Sequence, residues 1–359
     1  MTIRIALDSI AFREKEKPLL DAGGFRVSTF RYDTSIAALR IANRRGEIIV
    51  LPFKGHQIWR ARFDGRDLTM KSMFDQPVDT RNYLETYGAF FIHCGITTMG
   101  PSGPMENYPL HGELPNAPFQ TGSIVIDEVV GSLTVEGHYQ HTVAFTTNYR
   151  ATSSYRLKAD EALIDASLKV ENIKKTPMDL MYLAHANFRP VDDGELVYSA
   201  DYRNETVRVR TSIPGHITPM PGYREFIAEL AIDPSLHHRL KAGLGFDPEV
   251  VFSIDMKTDA QGLAHALLKR PDGTSDHTSY RPAQAKHCIR WICRTPDQDA
   301  IGMAFPSTSE VEGYTAEKIK GNVVILPAGA VWNIDMRLGA LTKSETEQKI
   351  SLIEAIRKS

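Results

Sequence analysis

The feature that most restricts this chain is a succession of short runs in which apolar and polar residues alternate, separated by tight turns. FRVSTFRY, SIAALRIANRRGEIIVLPF and GHQIWRARFDGRDL follow one another from Phe25, with turns at Arg44-Arg45-Gly46 and Asp64-Gly65. SIVIDEVVGSLTVEGHYQ, HTVAFTTNYRATSSYRL and ALIDASLKVENI continue the pattern, and EVVFSIDMK, LAHALLKR, HCIRWICR, AIGMAF and NVVILPAGAVWNIDMRLGAL carry it onward. A period of two marks half-buried strands, and the Thr, Val, Ile and Tyr that fill these runs suit a pleated surface. Many strands, short turns and little helix predict an all-β sandwich or barrel.

Two segments break the pattern. Ser235–Leu244, SLHHRLKAGL, reads as a short amphipathic helix with Ser235 as its cap. Residues 342–359 place Ile350, Ile353 and Ile356 on a three-residue period, with acidic residues early and basic ones late, as a docked C-terminal helix requires. Residues 1–24 are mixed and read as a peripheral N-terminal arm or first strand. No repeat or low-complexity linker divides the chain, so residues 1–359 are expected to form a single domain.

The charge balance excludes some partners. A formal net charge of -2 gives no basic excess for nucleic acid. No apolar run approaches a membrane span, and Met1–Lys17 lacks a signal core. Cys94, Cys288 and Cys293 cannot pair fully and show no CxxC spacing, which fits a reducing, cytoplasmic setting. A homodimer is compatible with the sequence but not required by it.

Between two strand-like segments lies HCGITTMGPSGPMENYPLHGELPNAPF, His93 to Phe119. Its prolines, glycines and small polar residues make loops, and loops on a rigid sheet are where binding side chains gather. It offers His93, His111, Glu106 and Glu113, and YLAHANFRP adds His185. Three imidazoles and a carboxylate also compose a nitrogen-and-oxygen metal set, so a divalent ion is an alternative to a cofactor-free site. No H-x-H or H-x-x-x-H pair supports it among these three.

Several segments resemble those of the aldose 1-epimerase (galactose mutarotase-like) superfamily. GHQIWRARFDGRDL is similar to its N-terminal strand and turn, LHGELPNAPF to its HG segment, MYLAHANFRP to its second histidine segment, and ILPAGAVWNIDMRLGAL to its closing strand. An uncharacterised branch is more similar still, through Cys94-Gly95-Ile96-Thr97-Thr98-Met99-Gly100, the H-x-N-F run, Glu249-Val250-Val251-Phe252 and Trp291. The order holds from about Ile48 to Leu341. The resemblance implies a large β-supersandwich with few short helices that binds a small-molecule carbohydrate in a cleft and needs no cofactor.

Mutarotation opens and recloses a cyclic hemiacetal, which takes one group to remove the anomeric proton and one to protonate the ring oxygen. The resemblance implies His185 as the acid and His111 as a ligand to a sugar oxygen. The carboxylate base is where this chain departs, because the matching stretch reads Gly302-Met303-Ala304-Phe305-Pro306-Ser307-Thr308. Ala304 or Phe305 stands in the glutamate position, and neither accepts a proton. Glu310 and Glu312 are therefore candidates for a displaced catalytic base, with Glu249 another carboxylate at the substrate. Arg60, His93, Asn187 and Trp291 complete the expected binding residues, Arg60 as a guanidinium fork and Trp291 as an aromatic platform. Three outcomes stay open: an anomer-interconverting isomerase, a sugar-binding protein that has lost its base, or a metal-assisted sugar isomerase or epimerase.

Overall fold

The computed structural model describes residues 2–213, 218–243 and 245–359. Two large antiparallel sheets pack face to face. One has ten strands and runs from Thr2–Leu7 at one edge, through Thr121–Asp127, Ser132–Val143, Thr147–Lys158, Leu163–Asn172 and Val331–Leu341, to Ser275–Tyr280 and beyond. The other has thirteen, with Val207–Val209 and Lys17–Ala22 as its edges. Within it Phe246–Ile254, His287–Arg294, Asp299–Ser307, Met178–Ala186 and Phe91–Ile96 are consecutive neighbours, although they are scattered in sequence. The expected supersandwich is thus the observed architecture.

Alternation does the sorting. In Thr147–Lys158 the buried residues are Tyr149, Ala151, Ser153, Tyr155 and Leu157, every second position. They face the other sheet, where Leu39, Ile41, Ile48 and Val50 are among their fully buried counterparts. Polar groups at the centre of this layer are linked to one another. Ser153 Oγ lies 2.8 Å from His56 Nδ1 and 3.1 Å from His93 Nε2, and His93 Nδ1 lies 2.7 Å from the Tyr182 hydroxyl. The Tyr155 ring lies nearly parallel to both imidazoles.

The N-terminal arm is not merely peripheral, since its two strands extend one edge of each sheet. The C-terminal helix spans Lys343–Lys358. Thr342 caps it by accepting from the Glu345 amide, while Glu345 reaches back to the Thr342 amide, a reciprocal capping box. Ile353 packs on Leu267 and Leu341, on the outer face of the ten-stranded sheet.

The helix expected at Ser235–Leu244 does not form. Pro234 opens a single 3-10 turn, Pro234–His237, capped by Asp233, and Arg239–Leu240 then joins the ten-stranded sheet; Leu244 lies outside the described residues. The true helix is Tyr223–Ile232, just upstream, with Tyr223, Ile227 and Leu230 buried at three- to four-residue spacing. Among the described residues no helix is long and apolar enough to cross a membrane.

Candidate active site

A cavity of about 320 Å³ lies against the thirteen-stranded sheet, on the face turned away from the other sheet. Its floor follows from strand pairing. Val251 pairs with Trp291, Ile289 pairs with Phe305, and Leu183 and His185 are alternate residues of one strand. Paired residues in an antiparallel sheet share a face, so these side chains converge although they come from four segments. Tyr83 and Tyr87 wall one side from a short 3-10 turn, and His111 enters from the loop. The volume falls in the range of small-molecule sites.

His185 is 5% exposed, and its ring is fixed from behind. Its Nδ1 lies 2.7 Å from Asn187 Oδ1, and the Asn187 amide is itself oriented because Nδ2 donates to the Ala89 carbonyl. With an acceptor facing Nδ1, the proton is assigned there, and Nε2 keeps its lone pair. Burial pushes the imidazole down to about 3, the neighbouring His111 adds to the shift, and the Asn187 hydrogen bond opposes it. His185 is therefore a neutral proton acceptor at rest.

His111 is aimed by its backbone. It sits at a φ of 59°, with its carbonyl accepting from the Gly95 amide and its amide donating to Gly100. Gly112 follows at a φ of 81°, where a Cβ would lie 2.3 Å from the Thr98 carbonyl oxygen, so only glycine lets the loop lie this close to the strand. The imidazole rings of His111 and His185 are 5.8 Å apart, edge to face.

The carboxylate of the cavity is Glu249. One oxygen pairs with Arg210 at 2.7 Å and the other accepts from Trp291 Nε1 at 2.6 Å. Phe305, by contrast, lays its ring 4.3 Å from that of His185. Gly302 makes room for that ring, since a Cβ there would come within 1.9 Å of Phe305 Cζ. Gly302→Ala is expected to expel the ring from the floor, lower stability by about 1–3 kcal/mol, and weaken ligand binding. Urea unfolding with ligand titration checks this, and unchanged affinity would separate the ring from the site.

The structure separates the other candidates. His93 pairs with Ala184, whereas His185 pairs with Ile92, so the two imidazoles emerge on opposite faces and His93 belongs to the layer between the sheets. The three histidines thus do not converge on one point, and among the described residues no group of three or more His, Cys, Asp or Glu could hold a metal ion. Glu113 is tied to Thr97 and Tyr149, and Glu106 to Gly103 and Thr315. Arg60 donates to the carbonyls of Trp59, Gly88, Phe74 and Asp75, which braces the segment carrying Tyr83 and Tyr87 but keeps its guanidinium out of the cavity. Asn187 is fully buried behind His185 and positions it, rather than lining the cavity.

Glu310 and Glu312 do not line this cavity. They border an adjoining trough, where Glu310 pairs with Lys320 and Glu312 accepts from Ser212. Glu310 and Glu312 follow the end of the strand Asp299–Ser307, which carries them past the floor. Trp291 and Glu249 do line the cavity, Trp291 with its indole nitrogen already engaged. Arg210, Tyr83 and Tyr87 are cavity residues for which the sequence offers only the alternation of Val207-Arg208-Val209-Arg210 as a signal.

A family model described as a domain of unknown function, DUF4432, matches residues 33–340. No curated protein matches the chain. Among solved structures, one from Klebsiella pneumoniae, proposed to be an aldose 1-epimerase, superposes with a TM-score of 0.81 at 15% identity, covering 99% of this chain and 96% of that one. A galactose mutarotase-like protein from Clostridium acetobutylicum gives a TM-score of 0.61 at 15% identity, with 88% and 98% covered. Galactose 1-epimerase from Lactobacillus acidophilus gives 0.54 at 13%, with 91% and 98% covered. The fold is galactose mutarotase-like.

Proposed function

The chain belongs to the DUF4432 family, and we propose that it interconverts the anomers of a small sugar, with His185 as proton shuttle. The observation that carries this reading is the neutral His185, its Nε2 lone pair left available by the Asn187 hydrogen bond, in one cavity with His111 and Glu249. The roles differ from those the resemblance implies, because a group held near 3 is not a resting acid. The anomeric hydroxyl gives its proton to Nε2, and its oxygen becomes a carbonyl oxygen as the bond from C1 to the ring oxygen breaks. The electron pair of that bond passes to the ring oxygen, which takes the proton back from His185. Both oxygens are bonded to the same carbon, so one imidazole reaches both. Rotation about C1–C2 presents the other carbonyl face, and the reverse steps close the ring with no net proton consumed. Glu249, held by Arg210 and Trp291 in the same cavity, orients the sugar against His185.

Anomer exchange followed by NMR over a panel of aldoses tests this. The wild type is expected to accelerate exchange of at least one sugar, and Glu249→Gln to slow it by about 10²-fold. Line broadening that reports binding with no acceleration on any sugar would instead support a binding protein, which the Phe305 ring and the fully engaged Glu249 oxygens favour.

A further inference from the structure

We infer that the protein holds a second small-molecule site, beside its C-terminal helix, and that this site takes a neutral polyhydroxylated compound such as a sugar or a cyclitol. The inference does not depend on the His185 reading. The site is a cavity of about 380 Å³ on the outer face of the ten-stranded sheet, across the sandwich from the first. Strand register builds it. His265 pairs with Ser279 and Ser279 with Arg337, which makes a row across three strands. His277 lies two residues before Ser279 on the same face, opposite Gly339, which has no side chain to cover it. The helix Lys343–Lys358 lies on this face, with Thr346 Oγ1 2.8 Å from Ser275 Oγ, and it brings Lys349 and Leu352 to the cavity. Leu163 and Leu263 add apolar wall.

The polar side chains of this cavity do not satisfy one another. His277 is 3% exposed, and neither of its ring nitrogens has a hydrogen-bond partner. His265 is 2% exposed, with Nε2 2.9 Å from Asp259 Oδ2. The proton is assigned to Nε2, and the Nδ1 lone pair is left without a donor. Asp259 is itself satisfied, because its other oxygen accepts from the Gln261 and Leu263 amides. The half-buried Lys349 ammonium feels the Asp259 charge without being bonded to it. Arg337 is held by Glu161 and Asp165. Burial lowers both imidazoles, that of His277 well below 6.5, so both are neutral near pH 7. His265 Nδ1 then requires a donor, Lys349 an acceptor, and neutral His277 one of each. Hydroxyl groups give both, and the C–H groups between them suit the leucine walls. A carboxylate or sulfate has no hydrogen for His265 Nδ1, and the Asp259 charge behind that ring repels it. A cation offers Lys349 nothing to bind and is repelled by it.

Ring ¹⁵N NMR of the full chain near pH 7 tests the inference, with myo-inositol, D-sorbitol, D-glucose and D-galactose as probes and sulfate and acetate as comparisons. At least one of the four is expected to move the His265 and His277 signals saturably, His265 Nδ1 as a lone pair does when it accepts a hydrogen bond. His277→Phe is expected to weaken that binding by at least about 10-fold. Lys349→Met, a change on the helix rather than in the sheet, serves if the first variant does not fold. No saturable movement of His265 and His277 with any of the four, an equal response to sulfate or acetate, or unchanged affinity in the variant overturns the inference. The His185 signal reports the first cavity in the same spectra. A probe that moves His185 alone therefore counts against this site and leaves the shuttle standing, whereas movement of His265 and His277 with no anomer exchange does the reverse.

Discussion

Replacing His185 by alanine is expected to slow anomer exchange by about 10²- to 10⁴-fold, the usual contribution of a positioned acid–base group. Affinity should change far less, because the Glu249–Arg210 pair and the aromatic walls stay in place. The pH profile of the wild type distinguishes the shuttle from the acid that the resemblance implies. An imidazole that acts as acceptor works in its neutral form, and burial lowers this one to about 3. Exchange per folded molecule should therefore stay level from pH 8 down to about 5. An acid of ordinary imidazole pKa, about 6.5, would instead lose activity as the pH rises through that value. A rate that climbs steadily as the pH falls from 8 to 5.5 would rule out the acceptor role.

The second large effect is on the fold itself. His56, His93 and His185 are each lowered by burial from 6.5 to about 3. In the unfolded chain they titrate near 6.5, so between about pH 6.5 and 3 the unfolded state binds protons that the folded state refuses. Their contribution to stability is complete above 6.5 and is lost as the pH falls toward 3. Each costs up to about 1.4 kcal/mol per pH unit in that window, and the three together up to about 4. Against a typical total of about 5–15 kcal/mol, the chain should unfold near pH 4–5. Urea unfolding at half-unit steps from pH 7.5 to 4.5 measures the slope directly. A stability that is flat over that range would show that these rings are not held neutral.

Much of this architecture is legible in the chain, and the limits of that legibility have physical causes. Alternation marks the strands because each sheet buries one face, and the C-terminal helix shows through its isoleucine spacing and its order of acidic before basic residues. His111, His185, Glu249 and Trp291 do meet in one cavity. His93 misleads because its face depends on register: one position separates Ala184, its partner, from His185, and that step reverses the direction of the side chain. Glu310 and Glu312 mislead because nearness in sequence to Phe305 says nothing about where a chain leaving a strand will go. Arg60 shows a third limit. A guanidinium looks like a ligand fork until the backbone carbonyls of Phe74, Asp75 and Gly88 are seen around it, and those come from a loop with no pattern of its own.

The C-terminal helix covers the outer face of one sheet, while the cavity lies on the outer face of the other. A linker joined after Ser359 therefore leaves from the back of the molecule. Tethered to a solid support through that end, every copy would present the cavity to the flowing solution. The sandwich supplies, without redesign, the orientation that an assay of ligand binding on an immobilised protein requires.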